Sequence, residues 1–268
     1  MRISLLPAPS PTVEEQVDVS ILIPAHNEAA RIGPFLEEVL AFMEDLRNKK
    51  GVSFEVIVAE DGSSDGTFQI AQRFVLASSA VRVLHHGHRL GKGGALKAAF
   101  SISRAEVVFF MDADAGYRPS EIPLFLRALR SSDIAIGVRS PDRMERLPPI
   151  RRRVAGLVFN LLFRIFFRSH VHDTQAGFKA FRRATLQTLL PRIRSNGFEM
   201  DAEIIARAER LDIDLVEVPI SYSYVRGSTI RIVRDGLAMA SSLLGVLIDI
   251  LSQPRHRADH LPLLKLET

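Results

Sequence analysis

Val107-Val108-Phe109-Phe110-Met111-Asp112-Ala113-Asp114 is the stretch around which the chain is organised. Five apolar residues, β-branched and aromatic among them, stop abruptly on two carboxylates one residue apart. The run is too short for a typical helix and too continuously apolar for a half-exposed strand, so it predicts a strand buried on both faces. In an open α/β sheet the carboxyl end of such a strand borders the ligand crevice. Two carboxylates sharing a crevice repel one another unless a positive group lies between them. Mg2+ or Mn2+ suits that position, because a hard cation takes one or two carboxylates and completes its shell with water and substrate phosphates. Asp112 and Asp114 are therefore the candidate metal ligands. The plain alternative is a capping Asp112 and a solvated Asp114.

Outward from this strand the pattern repeats. Residues 17–23, 54–59, 81–84, 134–137 and 215–219 read as further strands, stopped by Pro24, by Glu60-Asp61-Gly62 or by short turns. Between them, helical spacing of apolar residues predicts helices over 29–48, 67–76, 94–103, 119–130 and 199–210. Strands alternating with helices imply βαβ units and a mostly parallel central sheet flanked by helices, an α/β fold. The segments 24–28, 60–65 and 112–114 then all fall just past strand ends, which predicts that their acids converge on one rim.

With 268 residues, 47% hydrophobic, the chain has ample core for one large domain or two small ones. The expected organisation is a loose Pro-bearing arm over 1–16, a catalytic unit over 17–235, and a C-terminal amphipathic helix and tail over 236–268. There are no cysteines, which excludes disulfides. A net charge of +4 is too small to argue for nucleic acid, and none is expected as a partner. No apolar run reaches the roughly 18 residues a bilayer span requires. The basic residues instead cluster between 139 and 194. Residues 150–168, Arg-, Phe- and Leu-rich with no acid, match a helix lying on an anionic membrane surface. The apolar stripe of 236–251 could face the domain, lipid or a second subunit, which leaves a homodimer open.

Several familiar motifs fail. Gly87-x-x-x-Gly91-Lys92-Gly93 is one residue short of a phosphate-binding P-loop and has Gly93 where Ser or Thr should stand. It leaves Lys92 at a helix start, either attracting a phosphate or simply solvated. Asp61-x-Ser63-x-Asp65-Gly66 has Gln72 where a calcium loop needs a bidentate Glu. His170-x-His172 lacks further ligands in register and reads as a structural or surface pair. Asp201 and Glu203, in the first turn of their helix, suit the helix dipole but can also face the crevice. Arg226-Gly227-Ser228-Thr229-Ile230-Arg231 is a basic, flexible loop suited to closing over a diphosphate.

Taken together, Ile21-Leu22-Ile23-Pro24-Ala25-His26-Asn27-Glu28, Glu60-Asp61-Gly62-Ser63-Ser64-Asp65-Gly66-Thr67, Gly91-Lys92-Gly93-Gly94-Ala95 and Asp112-Ala113-Asp114 resemble the inverting nucleotide-sugar glycosyltransferases of the GT-A fold. Asp173-Thr174-Gln175-Ala176-Gly177-Phe178-Lys179 is similar to the dolichyl-phosphate glucosyltransferase branch. The resemblance implies that Pro24, Ala25 and Glu28 line the base and ribose pocket and that Asp61 bonds the base. It implies that Asp112 and Asp114 hold the metal and, through it, the diphosphate. Lys92, Arg139 and the loop bearing Arg226 and Ser228 would stand near the phosphates or acceptor. Glu60 departs from the usual Asp. The implied reaction moves a hexose, glucose from UDP-glucose, to a polyprenyl phosphate, from a peripheral position on the cytoplasmic face of a membrane. The alternatives are a mannosyltransferase using GDP-mannose, a transferase with a soluble acceptor, a nucleotidyltransferase and a non-catalytic membrane-binding module. A phosphate acceptor needs no strong base; for a hydroxyl acceptor Asp201 is the candidate.

Overall fold

The computed structural model describes residues 17–113, 116–224, 243–250 and 252. Asp114, Arg226 and Ser228, and the arm over 1–16, lie outside them. Seven strands form one sheet in the order β3-β2-β1-β4-β6-β5-β7. They are β1 (Val19–Ala25), β2 (Phe54–Asp61), β3 (Val81–His86), β4 (Val107–Met111), β5 (Ile134–Arg146), β6 (Phe178–Arg182) and β7 (Leu215–Ser223). All pairings are parallel except those of β6, which runs antiparallel to both β4 and β5.

The continuous apolar run of β4 has the expected cause. Val107, Phe109 and Met111 face one layer, Val108 and Phe110 the other, and all five are at most 2% exposed. One face packs on α1 (Ile32–Lys50), α2 (Thr67–Ala77) and α4 (Ile122–Ala128) through Phe35, Val39, Ala71 and Phe125. The other packs on α3 (Lys92–Ile102), α6 (Arg183–Leu189) and α7 (Met200–Arg210) through Leu96, Leu186 and Ile204. The 243–250 stretch is helical and contributes Leu243, Val246 and Ile250 to this second core.

β5 and β6 depart most from the sequence-based expectation. β6, Phe-Lys-Ala-Phe-Arg, was not anticipated as a strand, because cations at Lys179 and Arg182 interrupt the apolar pattern. Both are buried, Lys179 completely, because the fold supplies Asp201 to the first and the carbonyls of Leu129 and Ser132 to the second. β5 extends to Arg146, well past the expected Gly137, pairing irregularly with β7 through a segment containing Pro141.

Candidate active site

The loops after β1, β2 and β4 meet at one rim, as their positions in the sequence predict. The first two are laced together. The Asn27 amide donates to Ser63 Oγ at 3.0 Å, and Ser64 donates back to Asn27 Oδ1 at 2.9 Å. The Glu28 amide donates to Thr67 Oγ1 at 2.7 Å, and the Ala29 amide to Asp65 Oδ2 at 3.1 Å. Burial opposes ionisation of Asp65, but its hydrogen bonds from Thr67 and Ala29 hold the carboxyl below its ordinary pKa. His26 Nδ1 donates to the Asp61 carbonyl at 2.7 Å, a partner that can only accept, which fixes the donor nitrogen. Glu60, buried in β2, accepts from the Ser63 amide and pairs with His85, so it braces this loop from below.

The rim continues through Asp61, whose two oxygens accept from the amides of Leu90 (2.5 Å) and Gly91 (2.9 Å). This cinches the glycine loop to β2. Gly91 has φ +85°, a conformation that strongly favours glycine. The amides of Gly93 and Gly94, at the start of α3, donate to the Asn196 carbonyl. They are thus occupied by protein. The helix start binds Asn196 where sequence reasoning offered a phosphate, and Lys92 is not solvated either.

Lys92 lies in a chain of alternating charges. Its Nζ is 2.8 Å from Asp112 Oδ1 and 2.6 Å from Asp201 Oδ2; Lys179 Nζ is 2.7 Å from Asp201 Oδ1. Burial works against the Lys92 charge, but Asp112 and Asp201 outweigh it and raise its pKa. Burial likewise opposes ionisation of Asp201, and Lys179 and Lys92 overcome it, lowering its pKa. Burial pulls Lys179 below its ordinary value. Asp201 thus reaches the crevice through its lysines, whereas Glu203 turns away to Arg207 and to the amides of Arg194 and Ser195. Lys179 carried no role in the sequence reading. Its only signal was a lysine inside an otherwise strand-like run.

Asp112 differs from its neighbours in being open. Its side chain is 26% exposed, against 5% for Asp201. The Asp112 amide donates to the Gly177 carbonyl at 3.0 Å, and a Cβ on Gly177 would lie 1.9 Å from Asp112 Oδ2, so only glycine leaves this carboxylate room. An exposed hard oxygen donor fits Mg2+ or Mn2+. Among the described residues no three His, Cys, Asp or Glu side chains cluster as a metal cage.

Beside the rim, Arg139 in β5 grips Asp173 through Nε (2.6 Å) and Nη2 (2.8 Å) and lies 5.4 Å from the Tyr222 ring centre. Burial opposes both charges, yet each partner's charge prevails. The Arg139 pKa is raised and that of Asp173 is lowered. A cavity of about 460 Å3 opens here, lined by Arg139, Arg152, Arg153, Leu157, Tyr222 and others. One wall is α5 (Ile150–Phe167). Asn160 fastens this helix by accepting from the Thr174 hydroxyl at 2.8 Å. α5 also turns apolar side chains outward: Val154, Leu157 beside the cavity, Leu161, Ile165 and Phe166 are 49–69% exposed. Among the described residues no helix is long and apolar enough to cross a membrane. His172 is exposed and pairs with Glu217, a surface role.

The expected nucleotide-pocket residues stand together at this rim. Pro24 and Ala25 end β1, in register with Ala59 and Glu60, and Glu28 follows, paired with Arg31 at 2.5 Å. Against known proteins, the model for glycosyl transferase family 2 matches residues 20–190. The chain belongs to that family. This glycosyltransferase is 33% identical over 250 residues to glycosyltransferase AglD of Haloferax volcanii, covering 92% of this chain but 40% of AglD. It is 29% identical over 251 residues to the dolichyl-phosphate beta-glucosyltransferase of Saccharomyces cerevisiae, covering 86% of this chain and 74% of the yeast protein. Among solved structures, glucosyl-3-phosphoglycerate synthase from Mycobacterium tuberculosis, in complex with Mn2+, UDP and glucosyl-3-phosphoglycerate, matches with TM-score 0.65 and 22% identity. The match covers 89% of this chain and 81% of that one. At that identity the likeness concerns the fold, a GT-A fold.

Proposed function

We propose that this glycosyltransferase moves a hexose, glucose from UDP-glucose, with inversion onto a polyprenyl phosphate at a membrane surface. The observation that carries the reading is the continuity of three features. The Asp112–Lys92–Asp201 rim is joined to the Arg139 cavity through Gly177, whose carbonyl takes the Asp112 amide and whose amide donates to Tyr117, and through the Tyr117 ring packed on Tyr222 in the cavity wall. Leu157 of the exposed α5 face lines the same cavity. The dolichyl-phosphate beta-glucosyltransferases among its relatives support the same acceptor class.

In this reading Pro24, Ala25, Glu28 and Asp61 receive the nucleoside, and Asp112 with Asp114 holds the Mg2+ or Mn2+. When bound, that ion neutralises charge on the departing diphosphate. Lys92 stands close enough to Asp112 to bear on the same phosphates. Arg226 and Ser228 are further candidates to contact those phosphates. The acceptor phosphate, with a charge of about −1.5 to −2, is already a nucleophile. Its oxygen attacks the anomeric carbon from the face opposite the diphosphate, and the bond from that carbon to the diphosphate oxygen breaks. No proton need be removed. Asp201, with both oxygens ion-paired and its pKa lowered, suits anchoring of Lys92 better than the base role a hydroxyl acceptor would require. Arg139, Arg152 and Arg153 orient the acceptor phosphate, a contribution made through positioning.

The exposed residues of α5 with its Arg151–Arg153 run support an interfacial helix on anionic lipid. Residues 17–235 would make the catalytic unit. The test is a panel of UDP- and GDP-hexoses, offered polyprenyl phosphate or water-soluble acceptors with Mg2+ or Mn2+. Glucolipid from UDP-glucose is expected. Product only on soluble acceptors, or none with any lipid phosphate, would refute the proposal.

A further inference from the structure

We propose that Lys92 is a resident counter-ion that occupies the divalent cation's place at Asp112, so that the protein binds metal weakly until a nucleotide diphosphate draws Lys92 away. The inference rests on the metal reading above but concerns what holds the site before any ligand arrives.

Three observations carry it. First, Lys92 Nζ is 2.8 Å from Asp112 Oδ1, within direct ion-pair distance, and Asp112 is the rim carboxylate left open to the crevice. Second, Asp112 Oδ2 abuts Gly177, where even a methyl group would collide with it, so that side of the carboxylate has no space for an added ligand. A cation reaching the exposed part of Asp112 arrives beside the ammonium. Third, Lys92 is not a free side chain that thermal motion would clear. Its side chain is 8% exposed, Asp201 holds it from behind at 2.6 Å, and Asp201 is itself fixed by the fully buried Lys179. Among the described residues, two lysines and two aspartates neutralise one another, so Lys92, Lys179, Asp112 and Asp201 together offer a dication no surplus negative charge. Two positive charges near one carboxylate repel, and in a partly buried site that repulsion is weakly screened.

A diphosphate changes the balance. It brings negative charge to the rim, gives Lys92 a second anionic partner, and supplies oxygens to the metal. Donor and metal then bind with positive coupling, and by linkage each strengthens the other equally. Asp201 is the positioning residue of this device, because it keeps Lys92 at the rim in both conditions.

The experiment measures Mn2+ binding by electron paramagnetic resonance of the free ion, without any sugar or acceptor. Wild type, Lys92→Met, Lys92→Gln and Asp112→Ala are compared, each with and without UDP, and each is checked by circular dichroism. Without nucleotide, wild type should bind no more Mn2+ than Asp112→Ala does, up to about millimolar metal. Lys92→Met or Lys92→Gln should bind about tenfold more tightly than wild type, equivalent to about 1.4 kcal/mol. The gain in affinity on adding UDP should shrink in both Lys92 variants. Lys49→Gln, the same charge change at the exposed end of α1, should behave as wild type.

Unchanged or weaker nucleotide-free Mn2+ binding in folded Lys92 variants would overturn the inference, as would tight Asp112-dependent binding by wild type alone. If UDP induces Mn2+ binding in wild type while the Lys92 variants behave identically, only this inference fails. If UDP induces none in any form, the metal reading fails with it.

Discussion

Lys179 and Asp201 form a buried ion pair at 2.7 Å that joins a central strand to the helix packed across it. Lys179 is fully buried and Asp201 is 4% exposed. Removing one member of such a pair strands the other charge. Asp201→Ala is expected to cost about 3–5 kcal/mol of stability by urea unfolding. The double variant Lys179→Met with Asp201→Leu should cost clearly less than the two single changes summed, because the charge that remains, Lys92, still has Asp112 as its partner. Simple additivity would show that the pair is not coupled.

The Arg139–Asp173 pair gives a pH signature. The Asp173 pKa is lowered from 3.8, so its pair contributes stability that is present above that value and is lost as pH falls further. Asp173→Asn should therefore destabilise the protein at neutral pH, with the difference from wild type shrinking as pH drops below 3.8. Melting temperatures across pH 2.5–7 would check this, and a gap independent of pH would contradict it. Arg139→Lys should weaken the pair with Asp173 and lower glycosyl transfer, since a lysine cannot make the two-pronged contact.

Gly177→Ala tests the room left for Asp112. The added Cβ would meet Asp112 Oδ2 at 1.9 Å, so carboxylate or backbone must move. A displacement of this size at a reacting centre is expected to lower kcat/KM for glycosyl transfer by about a hundredfold. Activity within a factor of about three would show that Asp112 can relocate freely.

The outward face of α5 predicts membrane affinity. Leu157 and Leu161 are 69% and 49% exposed, so replacing both by Glu should leave the melting temperature nearly unchanged. Partition onto anionic vesicles should fall more than about tenfold, given about 1.5–3 kcal/mol for each large apolar side chain that would otherwise be buried in lipid. Equal sedimentation with vesicles would remove the interfacial role.

How far the sequence reads can be judged from particular residues. The run 107–111 declares its own burial because neighbours on both faces must be apolar, and the acidic loops could be placed because parallel strands share one carboxyl edge. β6 was hidden because its lysine and arginine are neutralised by groups from distant segments, which no local pattern records. Lys92 gave no sign of its ion pairs for the same reason. Its partners lie 20 and 109 positions away, and the helix amides beside it are filled by Asn196. Arg139 was singled out by resemblance alone, without the Asp173 that orients it. Local periodicity thus reports which face a residue shows to the core, but not which charges the fold brings together.

The account depends most on Asp112 joining a divalent ion to the donor. Calorimetric titration of UDP-glucose into wild type and Asp112→Ala, with and without Mn2+, tests it directly. Wild type should bind the donor far more tightly with Mn2+ than without, and Asp112→Ala should lose that dependence while remaining folded. Equal, metal-enhanced affinity in both proteins would contradict the account.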